Sequence, residues 1–219
     1  MGCDIHLYQE KRVNGKWVAA DKWEIEREEG VESEHVPYET RLYSNRNYRL
    51  FAVLAGVRNG VGFAGVKTSD PVIPMALPRG VPDDACPEYK AEVERWGQDG
   101  HSHSWLTLHD IMSYPFKHAK KTGVMHLDTY RAWKRSGETQ PEEWSGDVIG
   151  SGVIHIPEEI AAALADGYED DGKTYVRAEW STSLKDDCEE FLTAVVPRLQ
   201  ELESMYGEGN ARLVFMFDN

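Results

Sequence analysis

Asp4 and His6 lie two residues apart, a spacing that puts both side chains on one face if the segment is a strand. Carboxylate and imidazole together suit proton transfer or a divalent metal ion, and His101 and His103 repeat the spacing with a second pair of imidazoles. With Asp218 as a further carboxylate, Asp4, His6, His101 and His103 make a candidate ligand set for a divalent metal ion and a metal-dependent, phosphodiesterase-like hydrolase. The D-x-H spacing recurs in metal-dependent phosphoesterases, and Ser145-Gly146-Asp147 echoes another of their motifs. The Gly-Asn-His-Glu type segment is missing, however, and His101-x-His103 precedes Gly146-Asp147, so membership of that superfamily is rejected. The competing reading of each histidine is an ordinary strand or loop residue bonded to its neighbours.

Charge distribution points to a different chemistry. Between Thr40 and Ser69 lie Arg41, Arg46, Arg49, Arg58 and Lys67 and no acid, a local charge of +5 in a chain whose net charge is −14. Guanidinium forks grip phosphate oxygens in pairs, and neighbouring aromatic rings can stack on a base. The leading expectation is therefore a pocket for a small anionic, nucleotide-like ligand, with no cofactor. Its residues would be Arg46, Tyr48, Arg49, Arg58, Asn59, His101, His103, Ser104 and Trp105. A second basic stretch, 115–135, also sums to +5, and its bland alternative is pairing with acids elsewhere. Gly60 to Gly65 matches GxGxxG but follows a helical pattern and runs into prolines, so a dinucleotide fold is excluded; what remains is a plain flexible loop or exposed amides suited to an anion nest. Cys3 and His6 fall on opposite strand faces and make no nucleophile–base pair.

The elements that must position these groups follow from pattern. Cys3, Ile5 and Leu7 alternate with polar residues before Asn14-Gly15, which predicts a hairpin over 3–23. The acidic run 24–34 predicts a solvated loop or frayed edge. Leu50, Val53, Leu54 and Val57 predict a helix stopped near Gly56, and PEYKAEVERW predicts another from Pro87 to Gly97. Residues 99–104 are expected to be a loop, Thr107 with Asp110 a capping box through Met112, Asp128 a helix cap, and Pro157 to Gly167 a short helix. Residues 174–180 and the terminal ARLVFMFDN predict strands, and 184–206 a helix kinked or split at Pro197. Together these give an α+β fold, a largely antiparallel sheet with the N-terminal hairpin and the C-terminal strand, short helices and long ordered loops. A single domain over 1–219 is expected, with a Gly/Pro-rich segment at about 58–87 that serves as a functional loop or strap.

Composition bounds the partners. With 38 acids against 24 Lys and Arg, the chain is not expected to grip nucleic acid without regard to sequence. Three cysteines with no CxxC spacing fit a reducing compartment, and no apolar run approaches the roughly 20 residues of a membrane span. A small anionic ligand is the expected partner, no membrane is expected, and a homo-oligomer is compatible with the composition.

The segments MGCDIHLY, NRNYRLFAVLAGVRNG, LPRGVPDD, DGHSHSWLTL and RLVFMFDN are spread over the whole chain. As a set they resemble an uncharacterised family of tailed-bacteriophage proteins that begin MGCDIH and contain DGHSHSWLT. The resemblance implies a phage origin and action in the host bacterial cytoplasm, and it supplies no mechanism. In that setting the anionic ligand would be a host defence signal held out of reach. A third reading is an inhibitor of a host protein that presents its acidic surface as a decoy.

Overall fold

Asn14 and Gly15 both take positive φ, +50° and +80°, the backbone a type I′ turn requires. They join β1 (Asp4–Val13) to β2 (Lys16–Ala19) in the expected hairpin. The computed structural model describes residues 2–28, 31–165 and 167–219. Strands β3 (Glu24–Glu28) and β4 (Val31–His35) form an antiparallel pair where the acidic run predicted a solvated loop or frayed edge. A backbone ladder needs no apolar stripe, which is why periodicity passed over it.

Helix α1 (Tyr48–Ala55) starts where the Asn47 side chain accepts the Leu50 N–H and stops at Gly56, at φ +72°. After α2 (Pro87–Trp96), the predicted 99–104 loop is instead the start of β5 (His101–Thr107). Its buried Ser104 and Leu106 alternate with less buried residues, and a bulge between His101 and Ser104 hides the pattern in the sequence. Helix α3 (Leu108–Met112) opens on the Thr107–Asp110 capping box with both reciprocal bonds made.

The chain continues through β6 (His118–His126), α4 (Leu127–Ser136), β7 (Ile154–Pro157), α5 (Glu158–Ala163) and β8 (Thr174–Ser183). It closes with α6 (Leu184–Asp187), α7 (Glu189–Tyr206) and β9 (Ala211–Asp218). Three boundaries differ from expectation. His126, not Asp128, caps α4; α5 ends at Leu164 rather than Gly167; and the break in 184–206 falls at Cys188, with Pro197 inside the continuous α7. The fold is α+β, antiparallel except for the β7–β8 pair. Among the described residues no helix is long and apolar enough to cross a membrane.

Length and composition pointed to one domain; the contacts group the chain into two compact units, divided within the Gly/Pro-rich segment at Val72 and Ile73. The first comprises 1–57, 73–115 and 188–219. Its sheet has the order β2-β1-β9-β5, so the last strand is central and buried along nearly its whole length. On one face Phe217 meets Phe51 of α1 at 5.0 Å between ring centroids, and α7 packs over β1 and β9. On the other, Tyr8 and Val214 pack with Val36, Ala85, Cys86 and Tyr89 of α2. Full burial of each large apolar side chain contributes roughly 1.5–3 kcal/mol.

That second face also carries a row of alternating guanidinium and indole groups. Arg12 lies over Trp17 at 5.9 Å, Arg212 over Trp17 at 4.0 Å and over Trp105 at 5.8 Å, and Arg79 over Trp105 at 4.6 Å. Arg212 is anchored by the fully buried Glu10, 2.6 Å away on β1.

The second unit, 58–72 and 116–187, has the sheet β6-β8-β7 over a core of Met125, Leu127, Tyr130, Trp133, Val176 and Trp180. Here four of the six cations of the second basic stretch form ion pairs, Lys120 with Glu179, Lys121 with Asp187, Lys134 with Glu158 and Arg131 with Asp128.

Candidate functional site

Asp4 opens β1 directly opposite Asp218 near the end of β9, and its N–H donates to the Asp218 Oδ1 at 3.0 Å. Strand alternation puts His6 on the same face as Asp4, as the D-x-H spacing predicts, and His6 Nε2 lies 3.2 Å from Asp218 Oδ2. A single carboxylate thus holds both the first strand's backbone and its imidazole. With Nε2 donating to Asp218, a neutral ring leaves its lone pair on Nδ1, and that atom is buried without a hydrogen-bond partner. The His6 ring is 9% exposed and lies 4.2 Å from the Trp96 ring.

Trp96 is held in turn. Its indole N–H donates to Glu92 Oε1 at 2.9 Å, and the Tyr8 hydroxyl donates to the same oxygen at 2.8 Å. Burial alone would raise the Glu92 carboxyl, but hydrogen bonds from Arg95, Tyr8 and Trp96 outweigh it and hold the group below the usual range. Sequence reading missed Trp96; its place as the last residue of an amphipathic helix, shortly before the histidines, was the available signal.

Arg46 precedes the Asn47 cap of α1, which fixes where its side chain starts. Its guanidinium forks onto Asp4, Nε to Oδ1 at 2.8 Å and Nη2 to Oδ2 at 2.5 Å. That hydrogen-bonded cation keeps the Asp4 carboxyl below its ordinary range. Gly2 makes room for the fork, since a Cβ there would come within 2.8 Å of Arg46 Nη1.

The bulge in β5 separates the two histidines of 101–103. His101 is opposite Phe217 and its ring lies 6.2 Å away, which puts it on the sheet face opposite to His6. Its Nε2 is also buried and unpartnered, and its Nδ1 is 3.0 Å from Ser102 Oγ. Ser102 takes φ +51° in the bulge. His103 turns to the His6 side: the position of an absent Gly100 Cβ lies 3.5 Å from His103 Cε1, 3.1 Å from Trp96 Cβ and 3.2 Å from Met216 Sδ. Burial holds the His103 imidazole below its ordinary value, favouring the neutral ring.

The structure therefore brings together Asp4, His6, Arg46, His103 and Asp218, with Trp96, at one end of the first unit's sheet. Several expected members are placed elsewhere. Arg49 is buried in α1, whereas Tyr48 stays within electrostatic reach of the Arg46 guanidinium, with its ring 5.8 Å from Phe51. Ser104 is buried and its Oγ accepts the Arg79 N–H, while the Trp105 ring is engaged by the Arg79 and Arg212 guanidinium groups. Arg58 and Asn59 belong to the second unit, where the Asn59 side chain closes a loop through two bonds to Val72. That loop spends the amides of Gly62, Gly65, Thr68 and Ser69 on its own carbonyls, which removes the anion nest read from the glycines. Among the described residues no three His, Cys, Asp or Glu side chains are grouped to hold a metal ion, correcting the Asp4, His6, His101 and His103 set. The physical reasons are that Asp4 is spent on Arg46 and His101 faces the other side.

The site combines a cation with a proton-transfer group. Arg46 supplies a fixed cation, and His6 supplies a nitrogen oriented by Asp218 that can accept a proton or, once protonated, donate one. In comparisons with known proteins, the chain matches no family model, no curated protein and no solved structure.

Proposed function

We propose that the first unit binds a small anionic, nucleotide-like ligand at the end of its sheet, and that in a phage-infected bacterium this sequesters a host defence signal. The observation that carries the reading is that Arg46 and His6 are held at the same strand ends, Arg46 through Asp4 and His6 through Asp218, with the His6 Nδ1 buried and unpartnered. Arg46 offers a planar fork to an oxyanion, and Nδ1 accepts from a ligand hydroxyl or, as imidazolium, donates to a phosphate oxygen. Trp96 supplies an aromatic ring beside His6.

Calorimetry and thermal shift against a panel of nucleotides and cyclic nucleotides test this. Wild-type protein should be stabilised by at least one of them, by roughly 2.7 kcal/mol at a hundredfold excess over Kd. Arg46→Ala should lose the response, and absence of binding across the panel would overturn the reading.

The His6–Asp218 pair favours a second reading, hydrolysis of a phosphoester with His6 as general base or acid. Turnover of the bound nucleotide that His6→Asn abolishes, with binding retained, would select it over sequestration.

A further inference from the structure

We propose that the Asp4 carboxylate is a built-in place-holder for the ligand's anionic group, and that its displacement makes the site select phosphate monoesters over weaker oxyanions. This rests on the ligand reading above and names the ligand class. The two N–H groups that Asp4 occupies, Nε and Nη2 of Arg46, are the pair with which a guanidinium grips a phosphate. About half of each partner's side chain is exposed, so solvent and an incoming anion can reach the fork from outside.

Both ends of the contact are fixed by bonds that survive its opening. The Asp4 backbone stays in register through its N–H to Asp218 Oδ1 and the β1–β9 ladder, so the carboxylate can swing to solvent by side-chain rotation alone. The Arg46 backbone is set by the Asn47 cap, and its guanidinium lies against Gly2, where no Cβ intrudes. An incoming anion must outbid a singly charged carboxylate for the same fork. A dianionic monoester does so better than a monoanionic diester or carboxylate, because Coulomb attraction scales with charge.

The test uses the full chain, with AMP and inorganic phosphate as probes and cyclic AMP as the monoanionic comparison, in wild type, Asp4→Asn, Asp4→Ser, Arg46→Lys and Asp4→Asn/Arg46→Lys. Far-UV circular dichroism qualifies each variant as folded. Asp4→Asn is expected to tighten AMP by three- to tenfold and to narrow its advantage over cyclic AMP. Asp4→Ser should do the same, and Arg46→Lys, which lacks the fork, should erase the gain. Wild-type binding with equal or weaker affinity in both Asp4 variants would overturn the proposal and make Asp4 an orienting partner of Arg46. A gain that persists beside Arg46→Lys would also overturn it, as a bulk charge effect. No binding of any probe to wild type or variants would instead remove the ligand reading itself.

Discussion

Two regions of the same sheet hold an arginine against a carboxylate in opposite ways. In the middle of the sheet Arg212 and Glu10 are 5% and 0% exposed, sandwiched among Trp17, Trp105 and the strands themselves. At the end of the sheet Arg46 and Asp4 are 51% and 42% exposed. Between these extremes sits Arg79 with Asp110, 29% and 22% exposed, whose carboxylate also caps α3 through the Thr107 N–H and hydroxyl. Burial turns the same chemical pair from an exchangeable contact into a structural fixture, because desolvated charges left without partners are costly while solvated ones are not.

The largest expected effect follows from breaking the buried extreme. Glu10→Gln should leave the buried Arg212 with only the exposed Asp84 carboxylate, 3.0 Å from its Nη1, and cost about 3 kcal/mol in urea unfolding; a loss near zero would show that Asp84 alone compensates the charge. Next comes Arg79→Met, expected to cost about 1–2 kcal/mol because Asp110 keeps its cap bonds. Its pH signature is specific. Arg79 holds the Asp110 carboxyl down to about 2, against an ordinary 3.8, so the stabilisation is complete above about pH 4 and drains away as pH falls from there towards 2. The variant should flatten that acid limb in a pH series of unfolding midpoints.

His103 gives a smaller effect near neutrality. Since burial lowers its value from 6.5, the unfolded chain takes up this proton first, and stability should decline as pH drops below 6.5. Its imidazole resonances should titrate with a midpoint below that of a free histidine. The smallest stability effect belongs to Arg46→Ala, whose unfolding midpoint should match wild type within error while ligand response disappears. A clear loss of stability there would erase the contrast between the two ends of the series.

Much of the local structure was legible in the sequence because it is written in contiguous residues. Asn14-Gly15, the Thr107–Asp110 box and the α1 stripe each encode their own geometry. Strands β3 to β6 were not, since acidic, basic or bulged segments lack period-two apolar alternation and are defined by their partners, and β7 has only four residues in which to show it. For the site, the D-x-H spacing correctly put Asp4 and His6 on one face. What spacing could not give was register: Asp4 meets Asp218 across 214 positions, and one bulge decides that His103 rather than His101 joins His6. The basic window misled for a related reason. A charge count over 40–69 is blind to Asp4, the acid that answers Arg46, and to the division of those cations between two units.

The central position of β9 bears on how the molecule is made. During synthesis the β1–β2 hairpin leaves the ribosome about two hundred residues before the strand that completes its sheet, and β5 about a hundred before. Until Ala211–Asp218 are translated, both carry unpaired edges, the condition under which nascent chains stick to one another. The second unit, complete by Asp187, has no such wait. A premature stop that spares nearly the whole chain but deletes β9 would therefore yield aggregate rather than a slightly shortened protein, and would take Asp218, the partner of His6, with it.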